Sequence, residues 1–375
     1  MKWKIPLYKI FTDRDDNKAV NKVLQRGMDW AIGHEIAEFE KKIANYIGTK
    51  YCVAFNSGTS AGHAALLAIN INSGEVIVPS FTFISTANWP LMVNAKPKFV
   101  DIEEENFGLS PERVKVEITK NTKAIIPIHY GGRPCKIIEI NRIAKNKKIT
   151  LIEDCAESFG AKIKGVSVGT FGQMSIFSFA PNKILTTGEG GAICTDSRKI
   201  FEKLQLIRSH GRKVNENYFK TSQLPNYISI GYNWRMSSMT AALGLSQFDK
   251  LDRIIQLRRR HARFYVLKLK KINEIKLPDE PKDHLHVYQL FTIQLKNNLI
   301  RNELQKFLAS RGIMTKIFFE PIHLSNFYKK SGFGKKSLPN TEKISQTVLS
   351  LPIFPGLKSE EITHICDSIK EFFQN

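Results

Sequence analysis

The chain has 375 residues, of which 42% are hydrophobic and 24% are charged. This composition is ordinary for a globular protein with about two domains. No apolar run reaches the roughly 18 residues of a membrane-spanning helix, so we expect no membrane span. The five cysteines never form a CxxC pair, which argues against a disulfide framework or a metal site and fits a reducing compartment. Because the N-terminus lacks the apolar stretch of a signal peptide, we expect a cytoplasmic protein.

The net charge of +21 is compatible with a nucleic-acid partner, an anionic substrate or a general excess of surface lysine. The densest basic stretch, Arg258–Arg263, lies within a helix predicted from about Ser238 to Lys271. The apolar stripe of this helix comprises Leu251, Ile254, Ile255, Leu257, Phe264 and Leu267. The arginines are therefore predicted to form its solvated face. Neither zinc-finger spacing nor an RNA-binding aromatic motif is present, so no nucleic-acid partner is predicted.

In chain order, the first strongly patterned element is a helix over His34–Ile47, whose apolar residues recur at helical spacing. Short apolar runs then alternate with helical patterns such as Ser60–Ile69 and Lys136–Lys147. The predicted strands are Tyr51–Phe55, Glu75–Val78, Lys98–Asp101, Lys123–His129, Thr150–Glu153, Met174–Phe179 and Gly191–Thr195. This alternation predicts an α/β domain with a mostly parallel central sheet sandwiched by helices.

Beyond the long helix that starts at Ser238, strands and helices no longer alternate strictly, which indicates a smaller α+β domain. Its predicted elements are a strand over Val287–Leu295, a helix over Arg301–Ser310, a strand over Ile313–Phe319 and a terminal helix over Glu360–Phe373. We therefore predict a large domain over residues 1–250, with an N-terminal arm, and a small C-terminal domain over residues 251–375.

Three segments carry residues suited to chemistry. Asp154 and Glu157 stand at the carboxyl end of a predicted strand, where open α/β sheets bind ligands, although Asp154 also suits a helix cap. Lys183 follows another strand and precedes a glycine-rich turn, where an amine can face a planar ligand, although most single lysines are solvated. Asn56–Ala61 joins a strand to a helix and can hold a phosphate, although Ser and Thr are common N-caps. Taken singly, each segment is explained better by a purely structural role than by ligand binding.

Taken together, the segments resemble one family, the sugar aminotransferases of the DegT/DnrJ/EryC1/StrS type, within the fold-type-I pyridoxal-phosphate enzymes. The resemblance follows the family's order through nearly the whole chain. The matching stretches include Gly58–Ala61, Pro79–Phe83, His129–Pro134, Glu153–Ala156, Ser178–Lys183, Gly188–Gly191, Ser209–Arg212, Gly231–Met236 and Leu349–Pro352. It implies a homodimeric, pyridoxal-phosphate-dependent transaminase with shared active sites.

The resemblance also implies a role for each matching residue. Lys183 would bind the cofactor covalently through its amine and later shuttle a proton, and Asp154 would keep the pyridine nitrogen protonated. Phe83 matches the aromatic residue that stacks on the ring, although a buried core phenylalanine fits the same position. Asn233 would reach the cofactor phosphate from the other subunit, although it also suits a local turn. The other residues implied to hold the phosphate are Gly58, Thr59, Ser60 and Ser178.

Glu157 departs from the common family pattern, which has Gln or His to hydrogen-bond the phenolic oxygen of the cofactor. An ionised carboxylate cannot donate such a bond, but some branches of the family carry Glu, so Glu157 stays a candidate for cofactor contact. The residues that correspond to the substrate side of the family's site are His129, Arg212, Arg235 and His323. A purely structural role is an equal alternative for each of them.

The resemblance implies transfer of an amino group from Glu or Gln to a nucleotide sugar with a 4-keto-6-deoxy or 3-keto group, for aminosugar and surface-glycan biosynthesis. Related sugar 3-dehydratases have histidine at the position of Lys183, which argues against that activity. A non-nucleotide keto substrate of the amino-acid or cyclitol type and a non-catalytic cofactor-binding regulator stay open as alternatives. A basic cleft mouth, including Arg212, Arg235 and lysines of the Gly211–Ile230 loop, would attract the substrate diphosphate.

Overall fold

The described part of the chain, residues 3–213, 222 and 224–374, forms thirteen strands and thirteen α-helices in this computed structural model. The strands are β1 (Tyr51–Phe55), β2 (Glu75–Pro79), β3 (Lys96–Val100), β4 (Thr122–Ile125), β5 (Thr150–Asp154), β6 (Lys162–Ile163), β7 (Val166–Ser167), β8 (Met174–Ser178), β9 (Gly191–Thr195), β10 (Ile275–Lys276), β11 (His284–Leu285), β12 (Phe291–Leu295) and β13 (Val348–Leu351). The helices are α1 (Arg14–Arg26), α2 (His34–Ile47), α3 (Gly58–Ala68), α4 (Ile84–Met92), α5 (Pro111–Glu117), α6 (Ile137–Lys147), α7 (Arg198–Arg208), α8 (Ser238–Asp249), α9 (Leu251–Leu269), α10 (Asn298–Ser310), α11 (Asn326–Lys330), α12 (Pro339–Thr347) and α13 (Ser359–Gln374).

Seven strands form the central sheet, in the order β1-β9-β8-β5-β4-β2-β3. The pairs from β8 through β5, β4 and β2 to β3 are parallel, whereas β9 is antiparallel to both of its neighbours. The strands that the sequence predicts between residues 51 and 195 are these seven. The predicted fold class, a mostly parallel α/β sheet with helices, is thereby confirmed.

Helices cover both faces of the sheet, because successive side chains of a strand point to opposite sides. In β1, Val53 and Phe55 lie in a buried cluster with residues of α3, α4 and α7. Their neighbours Cys52 and Ala54 lie in a second cluster, with residues of α2 and α8. A sheet buried on both faces leaves its ligand site at the ends of the strands.

The C-terminal part is built around a three-stranded sheet in the order β10-β12-β13. Helices α9, α10 and α13 pack against it in a cluster of their own, which also includes Ile5 from the N-terminal segment. The division of the chain at residue 250 stays a prediction.

The predicted continuous helix from Ser238 to Lys271 is wrong, since α8 ends at Asp249 and α9 begins at Leu251. At the break, the Lys250 ammonium lies 2.6 Å from a carboxylate oxygen of Asp16. This ion pair ties the break to α1, a contact across more than two hundred residues that no local pattern encodes.

The predicted strand over Ile313–Phe319 is also wrong. Within the described part of the chain, the segment makes only isolated bridges, from Ile313 to Ile5 and from Lys316 to Ser350. Part of the segment turns toward a cavity instead of completing a sheet edge.

The prediction that the α9 arginines form a solvated face is wrong for Arg258, which is 3% exposed. Its guanidinium donates hydrogen bonds to the backbone carbonyl groups of Tyr288, Gln289 and Ile353. Burial lowers the pKa of Arg258 to about 10. The predicted apolar stripe fails at Leu267, which is 61% exposed. The Arg258 guanidinium therefore binds loop backbone instead of facing solvent.

All five cysteines are buried and have free thiols. None of the described helices combines the length and the apolar composition that crossing a bilayer requires.

Candidate active site

A cavity of about 510 Å³ lies at the carboxyl ends of the parallel strands. The segments that follow β1, β5 and β8 all contribute to its wall. Ser57, Asp154 and Lys183, which are far apart in the sequence, therefore line one space. The C-terminal part of the chain closes another side with Lys316 and Gln289.

The N-terminus of α3 opens into this cavity. Ser57 caps the helix, with its hydroxyl oxygen accepting a hydrogen bond from the Ser60 backbone N–H at 3.0 Å. The next two N–H groups, of Gly58 and Thr59, have no acceptor among the described residues. A side chain at Gly58 would place its Cβ 3.0 Å from the Ser178 Cβ, so glycine lets the backbone approach β8 closely. Free N–H groups at a helix start suit a phosphate.

The hydroxyl groups near the start of this helix differ in their hydrogen-bond partners and in whether they line the cavity. The Ser60 hydroxyl lies 2.6 Å from the Asn56 side-chain oxygen, and Ser60 does not line the cavity. Thr59 and Ser178 do line it, and the Thr59 hydroxyl lies 2.9 Å from that of Ser85. Ser57, which belongs to the predicted Asn56–Ala61 segment, also lines the cavity, as does Ser85, which no sequence pattern predicted.

Asp154 is the last residue of β5 and is 6% exposed. One carboxylate oxygen accepts a hydrogen bond from the Thr86 hydroxyl at 2.7 Å, and the other accepts one from the Ala156 N–H at 3.1 Å. Burial raises the pKa of Asp154, while these hydrogen bonds and the charge of Lys183 act to lower it. A cation placed against this carboxylate would compensate its buried charge. Thr86 is a contact that the sequence analysis missed.

Lys183 lies in the turn after β8, and its side chain is 14% exposed. Its ammonium lies 3.6 Å from one carboxylate oxygen of Glu157. The other oxygen of Glu157 accepts a hydrogen bond from the Gly131 N–H at 2.9 Å. The side-chain amide of Gln289 donates a hydrogen bond of 2.6 Å to the Asn182 carbonyl oxygen, next to the lysine. Gln289 is a second residue that the sequence analysis missed.

Phe83 lines the cavity and is 60% exposed. Exposure of this ring excludes the alternative of a buried core phenylalanine. An exposed aromatic face inside such a cavity is suited to stacking on a planar ligand.

These groups fit pyridoxal phosphate. The free N–H groups of Gly58 and Thr59 suit its phosphate, the buried Asp154 carboxylate suits a protonated ring nitrogen, and the Lys183 amine suits its aldehyde. All of them line one cavity.

Of the four candidate substrate residues, only His129 lines the cavity. Its ring is already engaged, because Nδ1 accepts the Cys135 N–H at 3.2 Å and Nε2 lies 3.2 Å from Glu153. His323 is buried elsewhere, with Nδ1 2.7 Å from the Ser80 hydroxyl. The roles of both histidines stay predictions, and these contacts favour the structural alternative.

Arg212 and Arg235 lie together beside Ser209, outside the cavity lining. Burial and the neighbouring guanidinium groups of Arg212 and Arg208 lower the pKa of Arg235. Asn233, in the same segment, is exposed and pairs with Ser209 through a backbone bridge. None of these residues reaches this chain's own cavity. The predicted basic loop Gly211–Ile230 falls partly outside the described residues, at 214–221 and 223.

Among the described residues, one group of potential metal ligands comprises His129, Glu153 and Cys155. The Glu153 carboxylate already accepts hydrogen bonds from the N–H groups of Gly169, Phe171 and Gly172. Since its oxygens are occupied by backbone donors, the group stabilises loops and does not offer a metal site.

Comparison with known proteins agrees with this geometry. Residues 11–370 match the DegT/DnrJ/EryC1/StrS aminotransferase family. The chain is 36% identical to GDP-perosamine synthase of Escherichia coli O157:H7 over 99% of both chains.

Two solved structures share the fold over the full length of both chains. DesV of S. venezuelae, solved in complex with a ketimine intermediate, has a TM-score of 0.90 and 30% identity. Helicobacter pylori PseC, an aminotransferase involved in the biosynthesis of pseudoaminic acid, has a TM-score of 0.92 and 26% identity. The predicted family, activity class and cofactor are thereby confirmed. The chain belongs to the DegT/DnrJ/EryC1/StrS aminotransferase family and is a pyridoxal-phosphate-dependent transaminase.

Proposed function

We propose that this transaminase moves an amino group from Glu or Gln to a keto nucleotide sugar, with a 4-keto-6-deoxy sugar as the acceptor. The observation that supports the proposal most is the similarity to a GDP-perosamine synthase over 99% of both chains, which extends well beyond the cofactor site.

The side of the cavity that the C-terminal part of the chain closes suits an anionic substrate. Lys316 lines the cavity, and its ammonium lies 5.2 Å from the centroid of the Phe318 ring. Among the described residues, no carboxylate forms an ion pair with it, in contrast to Lys183 and its partner Glu157. A cation without a protein counter-ion is suited to a phosphate or carboxylate group of a substrate.

In this proposal, the residues of the cavity have separate roles in cofactor binding and proton transfer. Pyridoxal phosphate, when bound, supplies the electron sink that lets the amino group move between two carbon atoms. Gly58, Thr59 and Ser178 bind its phosphate, and Asp154 holds the proton on its ring nitrogen. The Lys183 Nζ takes a proton from the carbon that loses the amino group and delivers it to the carbon that gains the amino group.

We further propose a homodimer in which Asn233 serves the partner's active site. The segment beside Asn233 exposes four large apolar side chains, those of Leu224, Tyr227, Ile228 and Ile230. An exposed apolar patch of this kind is typical of a protein interface.

The acceptor is tested with enzyme that carries pyridoxamine phosphate. A GDP-linked 4-keto-6-deoxy sugar should restore the absorbance of the pyridoxal form at micromolar concentrations, and added salt should weaken its apparent affinity. The same sugar without its nucleotide diphosphate should do far worse.

Two outcomes would contradict the proposal. Rapid discharge by simple 2-oxo acids, with every nucleotide sugar inactive, would make the protein an amino-acid aminotransferase. Failure of all keto compounds, cyclitol types included, would favour a non-catalytic regulator.

A further inference from the structure

We propose that Glu157 is the counter-ion of the Lys183 ammonium whenever that amine is not bonded to the cofactor. The inference rests on the proposed role of Lys183. It differs from the contact with the phenolic oxygen that the family resemblance implies for this position, and it gives the departure from Gln or His a chemical purpose.

The two oxygens of Glu157 have different partners. One accepts the Gly131 N–H at 2.9 Å, and the other lies 3.6 Å from the Lys183 Nζ. Gly131 and Gly132 both have positive φ angles, of 59° and 90°. A Cβ at Gly132 would lie 2.6 Å from a methyl carbon of Val287 and 3.1 Å from the Glu157 carbonyl oxygen. The tight turn therefore fixes the carboxylate from one side and leaves its other oxygen for the ammonium.

Other acids in the cavity do not fill this role. The charge of Lys183 also acts on Asp154, but the two oxygens of Asp154 accept hydrogen bonds from Thr86 and Ala156, and neither lies within ion-pair distance of the lysine. Glu189 lines the cavity but is not within ion-pair distance of Lys183, for which Glu157 is the only such partner among the described carboxylates. The side chains of Lys183 and Glu157 are each 14% exposed, so solvent screens this pair less than a surface pair.

A carboxylate at this position has a consequence for proton transfer. During turnover the free Lys183 amine takes a proton from the substrate carbon, and the resulting ammonium needs a counter-ion in a partly buried site. Glu157 supplies that charge, whereas a glutamine of the same size would not. Glu157 is thus a positioning residue that acts through Lys183.

The test measures how readily Lys183 reacts when it is free. In enzyme loaded with pyridoxamine phosphate, limiting acetic anhydride at pH 7.5 acetylates only neutral amines, and mass spectrometry follows the Lys183 peptide. Glu157→Gln keeps the side-chain volume and an acceptor for Gly131. Lys183 in this variant should react at least about fivefold faster, which corresponds to about 1 kcal/mol of lost ion pairing.

Matched variants exclude indirect effects. Glu189→Gln removes a cavity carboxylate that does not contact the lysine, and its Lys183 rate should stay within twofold of the parent. Glu157→Asp keeps the charge on a shorter side chain and should give an intermediate rate, which also serves if Glu157→Gln fails to fold. The other lysines of each protein provide the internal reference.

Equal Lys183 rates in the parent, Glu157→Gln and Glu157→Asp would overturn the inference. This outcome is separate from a failure of the proposed role of Lys183, which would appear as covalent cofactor on a different lysine.

Discussion

Replacing Thr86 with valine tests how the buried carboxylate of the site is stabilised. The Thr86 hydroxyl donates a hydrogen bond of 2.7 Å to Asp154, and the two residues are 1% and 6% exposed. Valine has nearly the same shape, so the substitution removes one donor to a charged group without opening a cavity. Of its donors among the described residues, Asp154 then keeps the Ala156 N–H.

A hydrogen bond to a charged group contributes about 1.5–3 kcal/mol, which corresponds to roughly 10- to 150-fold in an equilibrium constant. We expect this change to appear as weaker binding of pyridoxal phosphate, because the protonated ring nitrogen would pair with an ionised Asp154. Absorbance titration of cofactor-free enzyme measures this affinity, and single-turnover kinetics with the amino donor should show a loss of similar size.

The control is Thr82→Val, which removes a hydroxyl 3.1 Å from that of Thr86 and one step further from the carboxylate. Its cofactor affinity should change by less than threefold. If Thr86→Val also stays within threefold of the parent with the fold intact, the hydrogen bond to Asp154 is not what stabilises the cofactor's charge.

Three other experiments address the rest of the site. Asp154→Asn should lower the transamination rate at least a hundredfold. Because folding raises the pKa of Asp154, the neutral side chain should also raise the melting temperature of cofactor-free protein at pH 7, a gain that shrinks as the pH falls toward the ordinary value of 3.8. Activity close to the parent's would reduce Asp154 to a structural acceptor of the hydrogen bonds from Thr86 and Ala156. Gly191→Ala would place a Cβ 2.5 Å from the Ser57 carbonyl oxygen, and should cost about 1–3 kcal/mol of folding stability together with phosphate affinity. Gly356→Ala, whose added Cβ would meet open space, should lower neither the folding stability nor the phosphate affinity. Equal melting curves for the two variants would contradict the close approach of Gly191 to Ser57. Mixed Lys183→Ala and Asn233→Ala subunits should regain activity above either parent variant, and confirmed subunit exchange without rescue would remove Asn233 from the partner's site.

The central sheet could be predicted from the sequence because its strands are buried on both faces and read as short apolar runs. β1 and β9 agree with their predicted bounds, and β5 differs by one residue. The errors lie where distant contacts override a local pattern. The helical pattern breaks at Lys250, whose ammonium pairs with Asp16. Arg258 is buried, and three loop carbonyl groups accept its hydrogen bonds.

In the candidate site, too, local patterns predicted some residues and distant contacts hid others. Lys183, Asp154 and the Gly58–Thr59 turn were identified because each belongs to a contiguous stretch that resembles the family. Thr86 and Gln289 were missed because their partners, Asp154 and Asn182, lie 68 and 107 positions away in the chain. Nothing in the local sequence of either residue signals that contact, which forms only when α4 and the segment before β12 pack beside the cavity.

Borohydride reduction of the purified enzyme tests the central claim most directly. The amine of Lys183 is the only lysine amine among the described residues that lines the cavity together with Asp154 and is paired with Glu157. Reduction should therefore fix the cofactor irreversibly on the peptide that contains Lys183, and Lys183→Ala should show no fixed cofactor and no turnover. Recovery of the label on another lysine, Lys316 included, would contradict the assignment of this cavity.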